Sequence, residues 1–117
     1  GYQLLVYSTQ ELTNAYGDEI SPITSTNAVP AGWGTACTGA QMACFGYHTT
    51  DSTLSNGSSR FGPVDSYAAL TTTAEEVLYS SIPASDVHEI VYRMQASELQ
   101  PAGDYETDIV YIAVPVF

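Results

Sequence analysis

Two cysteines are the most reactive side chains in this sequence, and their spacing limits the chemistry open to them. Cys37 and Cys44 lie seven positions apart. That spacing does not fit the Cys-x-x-Cys redox motif, and two cysteines are too few for a structural zinc site. A local disulfide fits better, because Gly39 allows the short loop between them to turn back. We therefore predict a disulfide between Cys37 and Cys44, with two reduced cysteines as the alternative.

The other reactive side chains do not form a recognisable catalytic motif. The two histidines, His48 and His88, lie in segments predicted to be separate strands. His48 is four positions from Cys44, but a cysteine in a disulfide cannot act as a nucleophile. The sequence lacks a Gly-x-Ser-x-Gly elbow, a phosphate-binding glycine loop and a His-Glu-x-x-His zinc helix. We expect a protein that is not an enzyme, has no cofactor and uses both histidines structurally.

Three carboxylates and one asparagine are the remaining candidate sites. Asp104, Glu106 and Asp108 alternate along a predicted strand, so they share a face and repel one another. Calcium takes oxygen ligands of this kind, which makes the three acids weak calcium candidates; a solvated face without a cation is the alternative. Asn56 begins an Asn-Gly-Ser glycosylation sequon in a predicted loop, and is therefore a candidate for glycan attachment.

The charge balance excludes several classes of partner. Thirteen acids face only two bases, Arg60 and Arg93, and the net charge is -11. A phosphate backbone or an anionic membrane surface would be repelled, so nucleic acid is not an expected partner. No run of residues is long and apolar enough to predict insertion into a membrane. The absence of lysine also excludes a Lys–Asn isopeptide bond within this chain.

Alternating hydrophobicity and β-forming residues predict an all-β fold. The 117 residues correspond to one domain, and turn signals recur about every 8–15 residues, as in β-sandwiches of seven to eight mostly antiparallel strands. Residues 73–79 could also form a helix, but the segment is short and lies beside β-branched residues. Residues 50–63 are rich in Ser, Asn and Gly and predict an exposed loop. The predicted strands cover residues 2–8, 20–24, 33–36, 42–49, 67–72, 76–81, 87–96 and 105–117.

The C-terminal segment, residues 105–117, has the strongest strand pattern. From Ile109 onward both of its faces are apolar, and a strand of this kind needs cover on both sides. One interpretation is a central strand whose outer face lies under a loop. The other is that the strand is exchanged with a neighbouring copy and completes that copy's sheet. The second interpretation predicts a subunit interface formed by the apolar residues Ile109, Val110, Tyr111, Ile112, Val114, Val116 and Phe117.

Short motifs at both ends and in the middle of the chain resemble a known family of domains. The motifs are Gly1-Tyr2-Gln3-Leu4, Leu12-Thr13-Asn14, Pro30-Ala31-Gly32-Trp33-Gly34, and Leu99-Gln100-Pro101-Ala102-Gly103-Asp104-Tyr105-Glu106-Thr107 followed by Ile109-Val110-Tyr111. They are similar to Ig-like β-sandwich domains of secreted bacterial surface and pilus-type proteins, in which a final strand closes the sandwich. The resemblance implies a non-catalytic protein, secreted or on the cell surface, that acts in adhesion or filament building.

Together these observations predict a structural subunit. We expect an extracellular filament, pilus or surface layer built from copies of this chain, joined by non-covalent strand pairing. The alternative is an extracellular adhesin or carbohydrate-binding module of a larger surface protein, with the loop and some of the nine tyrosines contacting a glycan. A calcium-stabilised spacer domain is a third interpretation.

Overall fold

Antiparallel strands are the main regular structure of this protein, and the longest of them form two layers. The computed structural model describes residues 1–38, 43–57, 59–62 and 66–117. Within those residues, the strands are β1 (Tyr2–Ser8), β2 (Leu12–Thr13), β3 (Glu19–Ile20), β4 (Ala31–Gly32), β5 (Cys44–Thr49), β6 (Ser66–Tyr67), β7 (Glu75–Ser80), β8 (Ile90–Gln95) and β9 (Ile109–Pro115). One helical turn, α1, spans Trp33–Ala36. The predicted all-β class is confirmed.

The first layer has the strand order β7-β1-β9, with β1 in the centre. The sequence prediction for residues 2–8 matches β1, and Val6 is buried on the inner face shared with Tyr2 and Leu4. A β-bulge between Leu4 and Leu5 shifts the register with β7, whereas β9 pairs with β1 without interruption. Glu75–Ser80 is a strand, so the helical alternative for residues 73–79 is wrong.

The second layer is built around β5. Strand β8 pairs with one edge of β5, from Cys44 opposite Gln95 to Thr49 opposite Ile90. The other edge of β5 bonds to two short segments, through bridges at Pro22 and Ala68. Because β5 is covered on both edges and both faces, five of its six residues are buried. It is the central strand of the fold.

The larger apolar core lies between the two layers. Its buried residues come from both layers and from the 50–63 segment; they are Val6, Ile20, Phe45, Tyr47, Leu54, Phe61, Ala68, Leu70 and Val77. A second, smaller cluster covers the opposite face of β5, where Trp33 packs edge-on against Tyr67. The smaller cluster can pack this closely on β5 because position 46 is glycine. A Cβ there would lie 2.7 Å from Ile23 Cδ1 and 3.0 Å from the Ala68 carbonyl oxygen.

The disulfide belongs to the smaller cluster. Cys37 and Cys44 are bonded, with their Cα atoms 5.7 Å apart, and both are 1% exposed. The predicted pairing is confirmed. The chain just before Cys37 is helical rather than extended, because the Cys37 N–H donates to the Trp33 carbonyl oxygen and closes a turn at Trp33–Ala36. Sequence alternation over four residues did not distinguish this turn from a strand.

Several predicted segments differ from the structure. The C-terminal strand begins at Ile109 rather than at residue 105, because before it only an isolated bridge between Thr13 and Glu106 is formed. The segments predicted at 20–24, 67–72 and 87–96 are also shorter as strands, and next to the first two of them Pro22 and Ala68 form only isolated bridges to β5. The turn at Gly39, the strand start at residue 42 and residues 63–65 lie outside the described residues.

Three residues of the predicted exposed loop are buried, although most of its described residues are exposed. Asp51, Leu54 and Phe61 are each about 2% exposed, although they lie in the segment 50–63 that was predicted to offer little to bury. The prediction was wrong for these three positions. Leu54 and Phe61 are isolated apolar residues among many small polar ones, so composition alone hid their contribution to the core.

Replacing both cysteines by alanine tests how much the disulfide stabilises the fold. Removing a cross-link that closes so short a loop should cost roughly 2–3 kcal/mol, because the unfolded chain regains conformational freedom. Urea unfolding followed by circular dichroism measures the change in the free energy of unfolding. Reduced wild-type protein is the matched control and should lose a similar amount. A double variant as stable as the oxidised protein would contradict the prediction.

Candidate functional site

The two histidines do not form a shared site. His48 Nδ1 lies 2.8 Å from the Ser66 carbonyl oxygen, and the ring contacts Phe61 and Tyr67 edge-on or tilted. His88 Nε2 is 3.9 Å from the buried Asp51 carboxylate. Each ring therefore has its own local contacts, and these contacts hold the 50–63 segment and the start of β8 against the layers.

The three predicted calcium candidates lie in the connection before β9. Asp104 and Asp108 are exposed, and Glu106 pairs through its backbone with Thr13. Across the described residues, no three His, Cys, Asp or Glu side chains come close enough together to hold a metal ion. Asn56 is exposed on its loop, where its carbonyl oxygen accepts a hydrogen bond from Arg60 Nη1. Ser58 of the sequon lies outside the described residues.

The predicted interface residues lie on or just after β9, which is an edge strand. Ile109 and Tyr111 are on the inner face of the layer, opposite Ser8 and Val6 of β1, whereas Val110, Ile112 and Val114 are on the outer face. From Tyr111 to Pro115 every residue of β9 is exposed, including Tyr111 at 46% and Ile112 at 38%. The interpretation as a central strand covered by a loop does not describe this position in the single chain.

The free edge of β9 has backbone groups without partners. Thr9 N–H donates to the Asp108 carbonyl, and Val116 N–H donates to the Gly1 carbonyl. Since hydrogen-bonded pairs alternate in an antiparallel ladder, Val110, Ile112 and Val114 face β1, and Ile109, Tyr111 and Ala113 face away from it. Within the part of the chain that the structure describes, no group bonds to the outward N–H and C=O groups of these three residues.

Strand β8 has a second free edge beside the first. Thr50 N–H donates to the Glu89 carbonyl, so Val91, Arg93 and Gln95 face β5 and the alternating residues Ile90, Tyr92 and Met94 face outward. The side chain of Met94 is 55% exposed. The two edges lie on the same side of the sandwich, because the hydroxyl groups of Tyr92 and Tyr111 are hydrogen-bonded to each other.

Sequence reasoning did not identify β8 as part of this surface. Its alternating Ile90, Tyr92 and Met94 predict a strand with one apolar face, which is what a strand fully packed on the core would also show. We name the surface formed by Ile90–Gln95 and Ile109–Pro115 the open edge.

The opposite edge of the first layer, on β7, is closed by side chains. Thr49 Oγ1 donates to the Val77 carbonyl and Thr53 Oγ1 donates to the Tyr79 carbonyl. The Tyr79 N–H donates to Asp51 Oδ2, at 2.9 Å. Asn27 Nδ2 donates to the Glu76 carbonyl. Side chains thus take the places that a neighbouring strand would otherwise occupy, and β7 cannot accept another strand without losing these bonds.

A buried ion pair holds the closing side chains in place. Arg60 Nη2 lies 3.6 Å from Glu76 Oε1, and both side chains are less than a tenth exposed. Arg60 also donates to the Asn27 carbonyl and to Asn27 Oδ1, while Glu76 accepts from Ser55 and Gln3. Asn27 in turn donates to the Tyr47 hydroxyl. The network ties the 50–63 segment and the Asn27 segment to β7.

The open edge is uncharged apart from one arginine. None of the thirteen acids lies within residues 90–95 or 109–117. The exception, Arg93, lies on the outer face of its layer over the rings of Trp33 and Tyr67, with Cζ 4.7 and 5.5 Å from the ring centres. Burial, with the hydrogen bond to Tyr111, raises the pKa of Tyr92 well above its usual value of 10.0.

Comparisons with protein-family models, with curated proteins and with solved structures gave no match. In the part of the chain that the structure describes, there is no helix with the length and apolar character needed to cross a membrane. The open edge is therefore the feature from which a function can be argued.

Replacing Arg60 with methionine tests the buried network. The change leaves Glu76 without its cation and two acceptors of Asn27 without their donor, so we expect the free energy of unfolding to fall by about 3 kcal/mol. Arg93→Met is the matched control, because it removes the other arginine from an exposed cation–π contact worth roughly 0.5–1 kcal/mol. Equal losses in the two variants, measured by urea unfolding, would contradict the prediction.

The surroundings of the Asp51 carboxyl predict that the protein loses stability in acid. Burial by itself raises the pKa of this carboxyl, but hydrogen bonds from Thr53 and from the Tyr79 N–H, with His88 nearby, outweigh it and lower the pKa below the usual 3.8. A lowered folded-state pKa stabilises the fold above the unfolded value, and this contribution disappears as pH falls below about 3.8.

Asp51→Asn should therefore lower the melting temperature at pH 7 and lose less further stability than the wild type between pH 5 and pH 2. Scanning calorimetry across that range measures both effects. Asp104→Asn, at an exposed acid in a loop, is the control and should follow the wild-type profile. A parallel acid profile for Asp51→Asn and wild type would show that this carboxylate does not contribute.

Proposed function

We propose that this chain is a structural subunit of an extracellular filament, pilus or surface layer whose copies associate by non-covalent β-strand pairing at the open edge. One observation supports this proposal above the others. The outward backbone groups of Ile109, Tyr111 and Ala113 are unpaired on a strand that is apolar on both faces, whereas β7 at the other edge is closed by side chains.

The two edges of the first layer differ in how their backbone groups are protected. Free sheet edges attract other strands, and soluble proteins usually block them with charge, proline, bulges or covering segments. In this chain β7 is blocked in that way, but β9 has no charged residue and its proline is at the last position. An edge of this composition favours pairing with another strand, which would satisfy the backbone and bury the exposed apolar side chains.

The chemistry of the chain favours non-covalent joining in an oxidising compartment. There is no lysine for an isopeptide bond, and among the described residues no cysteine is free for a disulfide between copies. The buried disulfide itself supports an extracellular location, because such bonds persist mainly outside the reducing cytosol. The acidic exterior would keep free subunits apart everywhere except at the open edge, which contains no acid.

The adhesin or carbohydrate-binding alternative receives less support. It relies on residues 51–62 as a contact loop, yet Asp51, Leu54 and Phe61 are buried and the segment is tied to β7. A glycan platform needs exposed aromatic rings close together, whereas Tyr47 and Tyr67 are buried and Tyr92 is half-buried.

Replacing Ala113 with proline tests the proposal. The Ala113 N–H points away from β1, so proline removes a donor from the free edge while every bond between β1 and β9 remains. We expect a folded protein that no longer associates, whereas wild type associates with increasing concentration. Sedimentation velocity measures association, and circular dichroism measures folding.

Ala113→Ser is the matched control, since it keeps the N–H and should associate like the wild type. Val114→Pro provides a second comparison, because Val114 bonds to β1 and its loss should destabilise the chain itself. Two results would refute the proposal: a wild type that remains monomeric at millimolar concentration, or an Ala113→Pro variant that associates as strongly as wild type.

A further inference from the structure

We infer that the partner at the open edge is a second copy of this chain related by a two-fold axis, and that this one axis pairs β9 with β9 and β8 with β8 together. The inference rests on the proposed function and specifies the contact made by the subunits. Three observations support it: the unpaired backbone groups are centred on Tyr111 in β9 and on Tyr92 in β8, these two residues are in contact, and the surface around them is acidic.

The free groups of β9 are symmetric about Tyr111. Ile109 and Ala113 lie two positions to either side of it, and the outward N–H and C=O groups of all three residues are unpaired. In an antiparallel pair with the axis at Tyr111, this residue opposes the partner's Tyr111, and Ile109 opposes the partner's Ala113. Every outward donor and acceptor of the three residues then has a partner.

Proline marks the end of this ladder. The next outward position after Ala113 is Pro115, which has no N–H to donate. In the Tyr111-centred register it would oppose the partner's Thr107, which lies before the start of β9. The ladder therefore ends where the donors end, and a register moved by two residues would leave part of the free edge unpaired.

The free edge of β8 has the same arrangement about Tyr92. Its outward residues are Ile90, Tyr92 and Met94, so an axis at Tyr92 would pair Ile90 with the partner's Met94. Because the Tyr92 and Tyr111 hydroxyl groups are hydrogen-bonded, the midpoints of the two edges face each other across the layers. A two-fold axis perpendicular to the sheets at Tyr111 therefore passes beside Tyr92.

Such an axis keeps the inner faces inside. A two-fold perpendicular to an antiparallel sheet exchanges the strands without turning the sheet over, so the core side of each copy continues into the core side of the other. Each layer becomes continuous across the pair. The inward side chains of Met94 and Tyr111, 55% and 46% exposed in the single chain, would then lie in the centre of the joint core.

The lack of acids at the open edge permits a second copy as the occupant. Two chains of charge -11 repel over most of their surfaces, and the acid-free segments 90–95 and 109–117 are where they can approach closely. Arg93 is on the outer face, away from the joint core. Since a two-fold contact is satisfied by two copies, a larger assembly would join such dimers through further contacts outside the open edge.

Paired cysteine variants test the register. With Tyr111 on the axis, Val110 opposes the partner's Ile112 in a non-hydrogen-bonded pair with Cα atoms about 4.5 Å apart, which suits a disulfide. The distance between the two Val110 residues is roughly 7–8 Å, which is too long. An oxidised mixture of Val110→Cys and Ile112→Cys should give roughly tenfold more covalent dimer than either variant alone.

The same design tests the second strand pair. With Tyr92 on the axis, Val91 opposes the partner's Arg93, so a mixture of Val91→Cys and Arg93→Cys should also cross-link selectively. Non-reducing gels of the oxidised mixtures measure the yield, and circular dichroism verifies that each variant is folded. The native disulfide is buried in the wild-type chain, so oxidised wild-type protein is the control and should give no covalent dimer.

The outcomes separate this inference from the proposed function. Selective cross-linking in both mixtures supports the shared axis, and cross-linking in the β9 mixture alone overturns it. If wild type associates and Ala113→Pro does not, yet neither mixture cross-links selectively, the two-fold register is wrong and the proposed function stands. If wild type remains monomeric at millimolar concentration, both are refuted.

Discussion

The backbone groups at the edges of a β-sheet are the constraint on which this structure depends. The last strand of a sheet presents a row of N–H and C=O groups that must be bonded to side chains, water or another strand. In the first layer, β7 meets this requirement through Asn27, Thr49, Asp51 and Thr53. Strand β9 at the other edge, like β8 in the second layer, has no such cover among the described residues.

The closed edge depends on a small set of buried polar residues. Thr49 is the last residue of the central strand β5 and Asp51 lies two positions after it, while Asn27 and Thr53 come from segments held by Arg60 and Glu76. Arg60 is one of only two basic residues, and the other, Arg93, lies over Trp33 and Tyr67. Both arginines therefore contact groups of their own chain, and the remaining charges on the surface are acidic.

An acidic surface interrupted by one neutral, apolar edge has a direct physical consequence. Repulsion between copies opposes random contact, but it is weakest where no carboxylate is present. Exposed Tyr111, Ile112 and Met94 add hydrophobic area to the same place. The distribution of charge and the unpaired backbone thus favour one orientation of approach, and this coincidence is why a structural role is proposed for the chain.

The amino-acid sequence determined those features that depend on local patterns. Alternation predicted β1, the cysteine spacing predicted the disulfide, and the two-faced apolar pattern from Ile109 onward indicated a strand needing further cover. Each of these depends on residues close together in the chain. The tertiary structure decided which strands lie at edges, because strand pairing joins residues distant in sequence.

The same reason explains what the sequence missed. The burial of Leu54 and Phe61, the closure of β7 by Asp51 and the meeting of Tyr92 with Tyr111 all follow from long-range contacts. No spacing rule connects residue 51 with residue 79. The sequence alone therefore determined an acidic all-β chain with one disulfide and an apolar final strand, and only the packing of the layers decided that β8 and β9 form one open edge.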